Sequence, residues 1–350
     1  MKKKKPSVVS LGEISRVAGI SRAAAGYAMR NSPGVSPATR ERVQAIARRL
    51  GYVPDARMAA IMAGVRGTKS KDLQPLAWLN TSEEEDAWHR YKFMSPYLEG
   101  ARERARALGY RLDEIWTHEA GMTMSRISKI LYHRGIEGVI VTHSARHVRL
   151  DWDRLAAVSL EGSLLAPRLQ HVVRDSHYNL LLALKMLKRS GYRRIGICLE
   201  NEFNRHSHRS LMAAAHHFHL AVPNPDRIPP LFYAREEPTG RPGSNKQISR
   251  WLSRYRPDAV VGHSNCLVSC VEAAGYRVPE EIGIVHLGTD DDVSDWAGIC
   301  SHRRKVGILA AELVVSLIHN RQFGVPDVAV STVVRGTWHP GRTLLIPKPG

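Results

Sequence analysis

Residues 9–54 contain three short helical patterns, and this stretch constrains the fold more than any other part of the chain. Fewer than about fifty residues fold as a unit only if their helices share one core. Ser10 precedes the first pattern and Glu13 follows three residues later, the capping-box arrangement of a helix N-terminus. Apolar residues recur at helical spacing and predict one buried stripe, formed by Leu11, Ile14, Val17 and Ala18.

A second helix is predicted after a tight turn at Gly19 and Ile20, with Ser21 as its N-cap. Helical spacing turns one set of residues toward the first helix: Ala24, Ala25, Ala28 and Met29. It turns another set outward: Arg22, Ala23, Gly26, Tyr27 and Arg30. A third helix is predicted from Ser36-Pro37 to Gly51, and its inward residues are Val43, Ile46, Ala47 and Leu50.

Two helices joined by a tight turn form a helix-turn-helix. In that motif the N-terminal residues of the second helix reach base edges in the major groove. Arg22 is the outward residue best suited to this, because a guanidinium can bond guanine at two points. The same pattern is also compatible with a small helical domain that docks on another protein.

The charge of the chain favours a nucleic-acid partner. The formal net charge is +18 over 350 residues. Residues 1–71 carry 15 Lys and Arg against 3 Asp and Glu, so most of the excess lies in the first fifth of the chain. Such a concentration is typical of a module that neutralises phosphates. Lys2–Lys5 fit either a DNA-contacting arm or a solvated start.

From Leu76 onward, short apolar runs alternate with helical patterns. The strand candidates are 76–79, 110–115, 138–142, 156–160, 194–199, 259–262 and 282–287. The helix candidates between them include 94–108, 179–188 and 267–274. This alternation predicts parallel strands covered by helices, and the number of strands predicts two α/β lobes.

The N-terminal stretch resembles the DNA-binding headpiece of the LacI/GalR (lactose-repressor) family of bacterial transcription regulators. The matching features are Leu11, Ile14, 18–21, Val35-Ser36, Thr39-Arg40 and 50–54. Where that family commonly has Thr-Val-Ser in the recognition helix, this chain has Ala24-Ala25-Gly26. The resemblance implies a DNA-binding surface made of Ser21, Arg22, Ala23, Tyr27, Arg30, Arg40 and Ile61.

Residues 55–64 are alanine-rich and helix-prone, but too few to form a stable helix alone in water. The resemblance implies a hinge helix here, with Ile61 inserted into the minor groove of the DNA. A plain interdomain linker helix is the alternative. The expected organisation is a helix-turn-helix headpiece at 1–54, a hinge helix and linker at 55–72, and a two-lobed effector-binding and dimerisation domain at 73–350.

The resemblance continues through 172–175, 191–195, 257–260, 275–279 and 335–338. It implies an all-α headpiece followed by an α/β effector domain with parallel sheets, similar to periplasmic sugar-binding proteins. Ligands of such sheets bind beyond the C-terminal strand ends. By position the effector-binding candidates are Asn80, His143, Arg209, Asn265 and Asp290, and Arg209 stands where that family often has a ligand-binding arginine.

Other site chemistries have weaker signals. Cys198, Cys266, Cys270 and Cys300 form no C-x-x-C pair and suggest cytosolic thiols. His206, His208, His216, His217 and His219 lie close in sequence but lack thiolate or carboxylate partners at metal-site spacing, so no metal is expected. The segment 262–266 nearly matches the G-x-S-x-G elbow of serine hydrolases, with Ser264 as nucleophile and Cys266 in place of the last glycine.

Residues 283–289 have the glycine spacing of a phosphate loop without its lysine, and the chain has no G-x-G-x-x-G, so neither enzyme activity nor a cofactor is expected. No signal peptide is expected, because Pro6-Ser7 and a capped helix follow the initial charges instead of an apolar run. No membrane span is expected, since the best apolar run, 306–318, contains Glu312.

The sequence patterns and the family resemblance together predict a cytoplasmic, nucleoid-associated homodimer that represses or regulates transcription at a double-stranded DNA operator. The resemblance implies a small-molecule effector, a sugar or a sugar derivative. Two alternatives remain open at this point: a small-molecule sensor that does not read DNA, and the hydrolase. Whether the effector releases DNA or promotes binding depends on which conformation it prefers.

Overall fold

A computed structural model describes residues 10–29, 35–50, 52, 73–142, 147–162, 164–201, 204, 207, 209–234, 246–290 and 293–345. Three helices form the N-terminal unit: α1 (Leu11–Ala18), α2 (Arg22–Met29) and α3 (Pro37–Leu50). Ile14, Ala28 and Val43, one from each helix, are fully buried against one another. A core of this kind explains why so short a stretch folds.

The remaining helices follow in chain order. They are α4 (Ala87–Arg90), α5 (Ser95–Ala107), α6 (Met124–His133), α7 (Ser176–Arg189), α8 (Ser210–Ala221), α9 (Lys246–Tyr255), α10 (Leu267–Ala273) and α11 (Arg303–His319). Short 3₁₀ turns lie at Trp152–Arg154 and Asn224–Asp226.

Twelve strands build two sheets. The strands are β1 (Gln74–Asn80), β2 (Tyr110–Trp116), β3 (Gly138–Val141), β4 (Ala156–Leu160), β5 (Gln170–Arg174), β6 (Ile195–Glu200), β7 (Leu231–Tyr233), β8 (Ala259–Gly262), β9 (Gly283–His286), β10 (Gly298–Cys300), β11 (Ser331–Val334) and β12 (Thr337–His339). The first sheet has the order β11-β5-β4-β3-β1-β2 and the second β12-β10-β9-β8-β6-β7.

The first sheet and the helices packed on it form the N-lobe, and the second sheet with α7 to α10 forms the C-lobe. The inner strands β3, β4, β8 and β9 are buried along their whole length. Parallel sheets covered on both faces need such continuous apolar strands. Helix α11 packs on the first sheet, with Val306, Ala310 and Val314 in the same core as Leu76 and Trp78.

The chain passes between the lobes three times. It leaves β5 at its carboxyl end and enters α7 through Asp175, and it leaves β10 and enters α11 through Ser301 and His302. The third passage joins β11 to β12 through residues 335 and 336. Because each passage starts at the carboxyl end of a strand, the carboxyl edges of the two sheets face the same junction. Ligands of such sheets bind at these edges.

The two-lobed α/β architecture and the N-terminal helical unit are confirmed. Five strands that the structure contains were not among the strand predictions: β5, β7, β10, β11 and β12. One pairing departs from the expected parallel arrangement, because β12 lies antiparallel to β10. Strands β7, β10 and β12 have three residues each, too few to display a period of two in the sequence.

Candidate functional site

Helix α2 presents an exposed face that is fixed from within the unit. The hydroxyl of Ser21 accepts a hydrogen bond from the Ala24 amide at 3.1 Å, which confirms the predicted N-cap. Ala25 and Ala28 are fully buried, whereas Arg22, Ala23 and Tyr27 are exposed. The capped helix therefore holds its first turn, with Arg22, toward the outside of the unit.

The neighbouring helices hold both ends of α2. Gly19 ends α1 in the left-handed conformation with φ 66°, which a residue without Cβ adopts most easily and which produces the tight turn. From α3, the Gln44 side-chain amide donates to the Ala28 carbonyl at 3.2 Å. Arg40 donates through Nη2 to the Val35 carbonyl at 3.2 Å, so part of its guanidinium supports the start of α3.

Two orientation predictions in this unit are wrong. Val17 is 41% exposed, and its expected inward place is taken by Ser15, whose hydroxyl donates to the Gly12 carbonyl at 2.8 Å. Gly26 is buried rather than outward. Glycine exposes only backbone, which neighbouring groups can cover, so its place in a helical pattern says little about burial. Arg30 and Ile61, the other predicted DNA contacts, lie outside the described residues.

Asn80 ends β1 at the carboxyl edge of the N-lobe sheet and is 2% exposed. Its Nδ2 donates to the Glu85 carbonyl at 2.8 Å, and its Oδ1 accepts from the Ser82 amide at 2.9 Å. Both ends of the side chain thus fold the loop after β1. Its predicted contact with an effector stays a prediction, as does that of His143, which is outside the described residues.

Two tryptophans that the sequence analysis did not single out hold the same loop. Trp88 donates through Nε1 to the Ser82 hydroxyl at 3.0 Å, and Trp116 donates to the Ser82 carbonyl at 2.9 Å. Aromatic rings with one hydrogen-bonding edge are common in ligand pockets. Trp116 is the last residue of β2, and position at a strand end is the signal that could have identified it.

On the C-lobe side, three polar residues meet at the ends of adjacent strands. Glu200 ends β6, Tyr233 ends β7 and His263 directly follows β8. Glu200 accepts from the Tyr233 hydroxyl at 3.5 Å, and His263 Nε2 lies 3.8 Å from its other carboxylate oxygen. Burial raises the pKa of the Tyr233 hydroxyl, which therefore keeps its proton. This group can bind both donors and acceptors of a polar ligand.

Arg209 lies in the left-handed conformation at the N-cap of α8 and is exposed. Buried Asn204 positions it, since the Asn204 carbonyl accepts from the Arg209 amide at 2.9 Å and its Oδ1 accepts from Met212 at 3.0 Å. Asn265 is exposed in the turn after β8. Both predicted effector residues thus lie in loops at the carboxyl edge of the C-lobe sheet.

Asp290 follows β9 and is bonded within the protein. Its Oδ1 accepts from the Ser301 hydroxyl at 2.8 Å, and its Oδ2 accepts from the Arg303 amide at 2.9 Å. Burial alone would raise the pKa of this carboxyl, but the Arg303 guanidinium and the hydrogen bonds from Arg303 and Ser301 together lower it. Asp290 is therefore ionised at neutral pH.

Three of the five histidines that lie close in sequence, and all four cysteines, are in the described part of the chain. That part contains no group of three or more metal-binding side chains, although His206 and His208 lie outside it. His219 is engaged through Nδ1 with the Ile228 carbonyl at 3.1 Å. None of the four cysteines is in a disulfide.

Ser264, which lies in the nucleophile-elbow pattern, is not among the described residues with positive φ. Within the described ranges, no helix combines the length and the apolar character needed to cross a bilayer.

A helix-turn-helix unit joined to two α/β lobes that meet at their carboxyl edges defines a DNA-binding regulator with a ligand-binding domain. Residues 10–55 match the family model of bacterial regulatory proteins of the lacI family, and residues 184–338 match a periplasmic binding protein-like domain. The chain therefore joins a DNA-binding region that matches the lacI family of bacterial regulatory proteins to a periplasmic binding protein-like domain.

Solved structures share the whole architecture. The transcriptional regulator CelR in complex with cellobiose is 19% identical, with a TM-score of 0.59, 96% of this chain and 99% of that chain covered. A lac repressor dimer bound to operator and the anti-inducer ONPF is 17% identical, with a TM-score of 0.57 and coverages of 97% and 100%.

A periplasmic binding protein/LacI transcriptional regulator from Alkaliphilus metalliredigens QYMF complexed with D-xylulofuranose is 12% identical, with a TM-score of 0.56 and coverages of 78% and 99%. At these identities the likeness establishes the fold. Compared with curated protein sequences, the chain has no significant match.

Proposed function

We propose that this regulator binds a DNA operator as a homodimer through the exposed face of α2 and acts as a repressor. The capped N-terminus of α2, with exposed Arg22 in its first turn, is the observation that carries the proposal. Two such units read half-sites related by the dimer axis, about one turn of DNA or a multiple of it apart. The excess of basic residues in 1–71 supplies the sequence-independent part of the affinity.

The proposed functions are assigned to the three domains expected from the sequence. Residues 1–54 bind DNA, 55–72 link and adjust the two headpieces, and 73–350 bind an effector and the second subunit. The proposed DNA contacts are Ser21, Arg22, Ala23, Tyr27, Arg30, Arg40 and Ile61. The protein acts in the cytoplasm, by binding rather than by catalysis, and Ser264 does not have the positive φ that would support a nucleophile elbow.

The effector binds between the carboxyl edges of the two sheets. Arg209 and Asn265 contact it from exposed C-lobe loops, beside the group formed by Glu200, Tyr233 and His263. Asn80, with the two tryptophans that hold the loop after β1, shapes the N-lobe side, as does His143. A sugar or sugar derivative suits these mixed donors and acceptors, and the structural neighbours in complex with cellobiose and D-xylulofuranose support this class.

The experiment that tests DNA recognition is selection of bound sequences from a random duplex pool by the full-length protein at two salt concentrations. A pseudo-palindromic site whose affinity falls steeply with salt is the expected result. A protein that senses a small molecule without reading DNA would enrich no sequence, and that outcome would overturn the proposal.

Arg22→Ala tests the assignment of the recognition helix. We expect a loss of about 1 to 3 kcal/mol in operator binding and a relaxed preference at one base pair. Arg149→Ala is the matched control, because Arg149 is an exposed arginine of the N-lobe and the substitution changes the net charge equally. Equal losses in the two variants would show that Arg22 contributes only charge.

A further inference from the structure

The second passage between the lobes is held by a carboxylate from a neighbouring loop. Asp290 lies in the C-lobe, in the loop after β9, whereas Arg303 is the first residue of the N-lobe helix α11. Asp290 Oδ1 accepts from the Ser301 amide at 3.1 Å, the Ser301 hydroxyl at 2.8 Å and Arg303 Nη1 at 3.2 Å. Its Oδ2 accepts from the Arg303 amide at 2.9 Å. The Asp290 carboxylate thus accepts hydrogen bonds from Ser301 and Arg303, the residues on either side of His302 in the second passage.

The hydrogen bond that the Arg303 backbone amide donates to Asp290 caps the N-terminus of α11. Helices need a group that accepts from their first free amides, and a carboxylate also stabilises the positive end of the helix dipole. The residue at the N-cap position, His302, has φ 55° and its side chain makes no capping hydrogen bond. Asp290 supplies the cap instead. The longest helix of the N-lobe is therefore capped by a residue of the C-lobe.

The Arg303 guanidinium also donates to Asp290, so α11 contributes a side chain to this contact as well as a backbone amide. Arg303 is 7% exposed and extends from α11 over the C-lobe loop that contains Gly288 and Asp290. A Cβ at Gly288 would overlap Nη2 of Arg303, so any larger residue at position 288 would require the guanidinium to shift. The ion pair is largely shielded from water, which strengthens the attraction between its partners.

We propose that Asp290 and Arg303 form an inter-lobe latch that fixes the arrangement of the N-lobe and C-lobe. Asp290 is then a positioning residue, acting through α11 and the second passage rather than through contact with an effector. Any change in the angle between the lobes must preserve the latch as a rigid unit or break it. A buried ion pair that breaks leaves charges without compensation, so the broken arrangement is separated from the latched one by a free-energy cost.

The latch is tested by the distance between the lobes in the full-length protein without DNA. Spin labels on exposed Cys266 of the C-lobe and on an introduced Arg149→Cys of the N-lobe report that distance by pulsed electron resonance. Half-buried Cys300 is replaced by alanine in every variant, and labelled protein is diluted with unlabelled protein so that distances within one chain dominate.

Asp290→Asn is expected to shift or broaden the distance distribution, and Asp290→Glu, which keeps the charge, to restore part of it. Gly288→Ala is expected to act in the same direction, because it displaces the guanidinium and leaves the carboxylate intact. Asp295→Asn is the control, since its carboxylate pairs with Arg342 within the C-lobe. A distance distribution that is unchanged in both Gly288→Ala and Asp290→Asn would overturn the latch. If Asp290→Asn does not fold, the distance distribution of Gly288→Ala alone tests the latch.

The regulatory consequence rests on the proposed function. If lobe arrangement controls DNA binding, Asp290→Asn changes operator affinity by roughly fivefold or more without any effector, the lower end of typical coupling. An unchanged affinity together with a changed distance would overturn the latch as a regulator. A wild-type protein that binds no DNA sequence would overturn the proposed function instead, while the distance measurement would still decide the latch.

Discussion

The hydroxyl of Tyr97 on α5 donates a hydrogen bond of 2.6 Å to Oε1 of Glu161. The same carboxylate oxygen accepts from Arg174 Nε at 2.8 Å, at the end of β5 where the first passage between the lobes begins. Burial raises the pKa of the Tyr97 hydroxyl, and burial of Arg174 is outweighed by Glu161, which raises the pKa of that guanidinium. Tyr97 therefore stays neutral, while Glu161 and Arg174 form a shielded ion pair.

Glu161→Gln is expected to lower the free energy of unfolding by about 3 kcal/mol, because it leaves the largely shielded Arg174 without its closest countercharge. Urea denaturation measures the loss. The chain offers a matched exposed trio, in which Glu84 accepts from the Tyr91 hydroxyl at 2.9 Å and from Arg90 at 3.1 Å. Glu84→Gln should change the free energy of unfolding by less than about 1 kcal/mol. Similar losses in the two variants would contradict the role assigned to burial.

Helices α5 and α11 pack through glycine, and this predicts a steric effect. A Cβ at Gly307 would overlap the Tyr97 carbonyl oxygen, which is backbone and cannot move alone. Gly307→Ala should therefore cost about 2 to 3 kcal/mol of stability. Gly12→Ala in α1 is the control, because its Cβ would meet only the Ser10 hydroxyl at 3.6 Å. Alanine should stabilise α1 by about 0.5 to 1 kcal/mol, so hydrogen exchange of the two helices should change in opposite directions.

Ser21→Ala removes the side-chain cap of α2 and should destabilise that helix by about 1 kcal/mol. Faster amide exchange at Ala24 and weaker operator binding are the expected results, since the first turn of α2 carries the proposed base contact. The control is Ser253→Ala in α9, where an exposed hydroxyl donates to the Ser249 carbonyl and caps nothing. Unchanged exchange at Ala24 would show that the hydroxyl contributes little to the helix.

The lowered pKa of Asp290 fixes the pH range in which this residue stabilises the protein. A carboxyl whose pKa is lower in the folded than in the unfolded state stabilises above its unfolded pKa, and loses that contribution as pH falls through the folded value. The stability difference between wild type and Asp290→Asn should thus be constant above about pH 5 and shrink below about pH 4. Urea unfolding across this range measures it. A difference that grows on acidification would have the wrong sign.

Sequence patterns found the elements with strong local signals. Strands β4 and β8 were located to the residue, because strands buried on both faces read as continuous apolar runs. Helix α11 was recognised in the sequence only as an apolar run. The helix is buried over much of its circumference, which obscures the helical spacing of its apolar residues. Ser21 could be identified as a cap because its partner Ala24 lies three residues away.

The sites depend on contacts that no local pattern contains. Asp290 was predicted as an effector-binding residue because it follows a strand. Its hydrogen bonds with Ser301 and Arg303 depend on how the chain returns from β10. Glu200, Tyr233 and His263 are distant in sequence, and only the strand order β8-β6-β7 brings them together. The sequence could predict that ligand-binding residues lie at the carboxyl edges of the sheets. It could not predict which side chains meet there.

The three passages between the lobes have a consequence for synthesis on the ribosome. Helix α11 and strand β11 complete the N-lobe only after almost the entire C-lobe has been made, and β12 completes the C-lobe last of all. The N-terminal helical unit needs nothing beyond residue 52 for its described core. A chain released early by a stop codon near residue 300 would thus carry a finished DNA-binding unit on two unfinished sheets, with apolar strand surfaces open to aggregation.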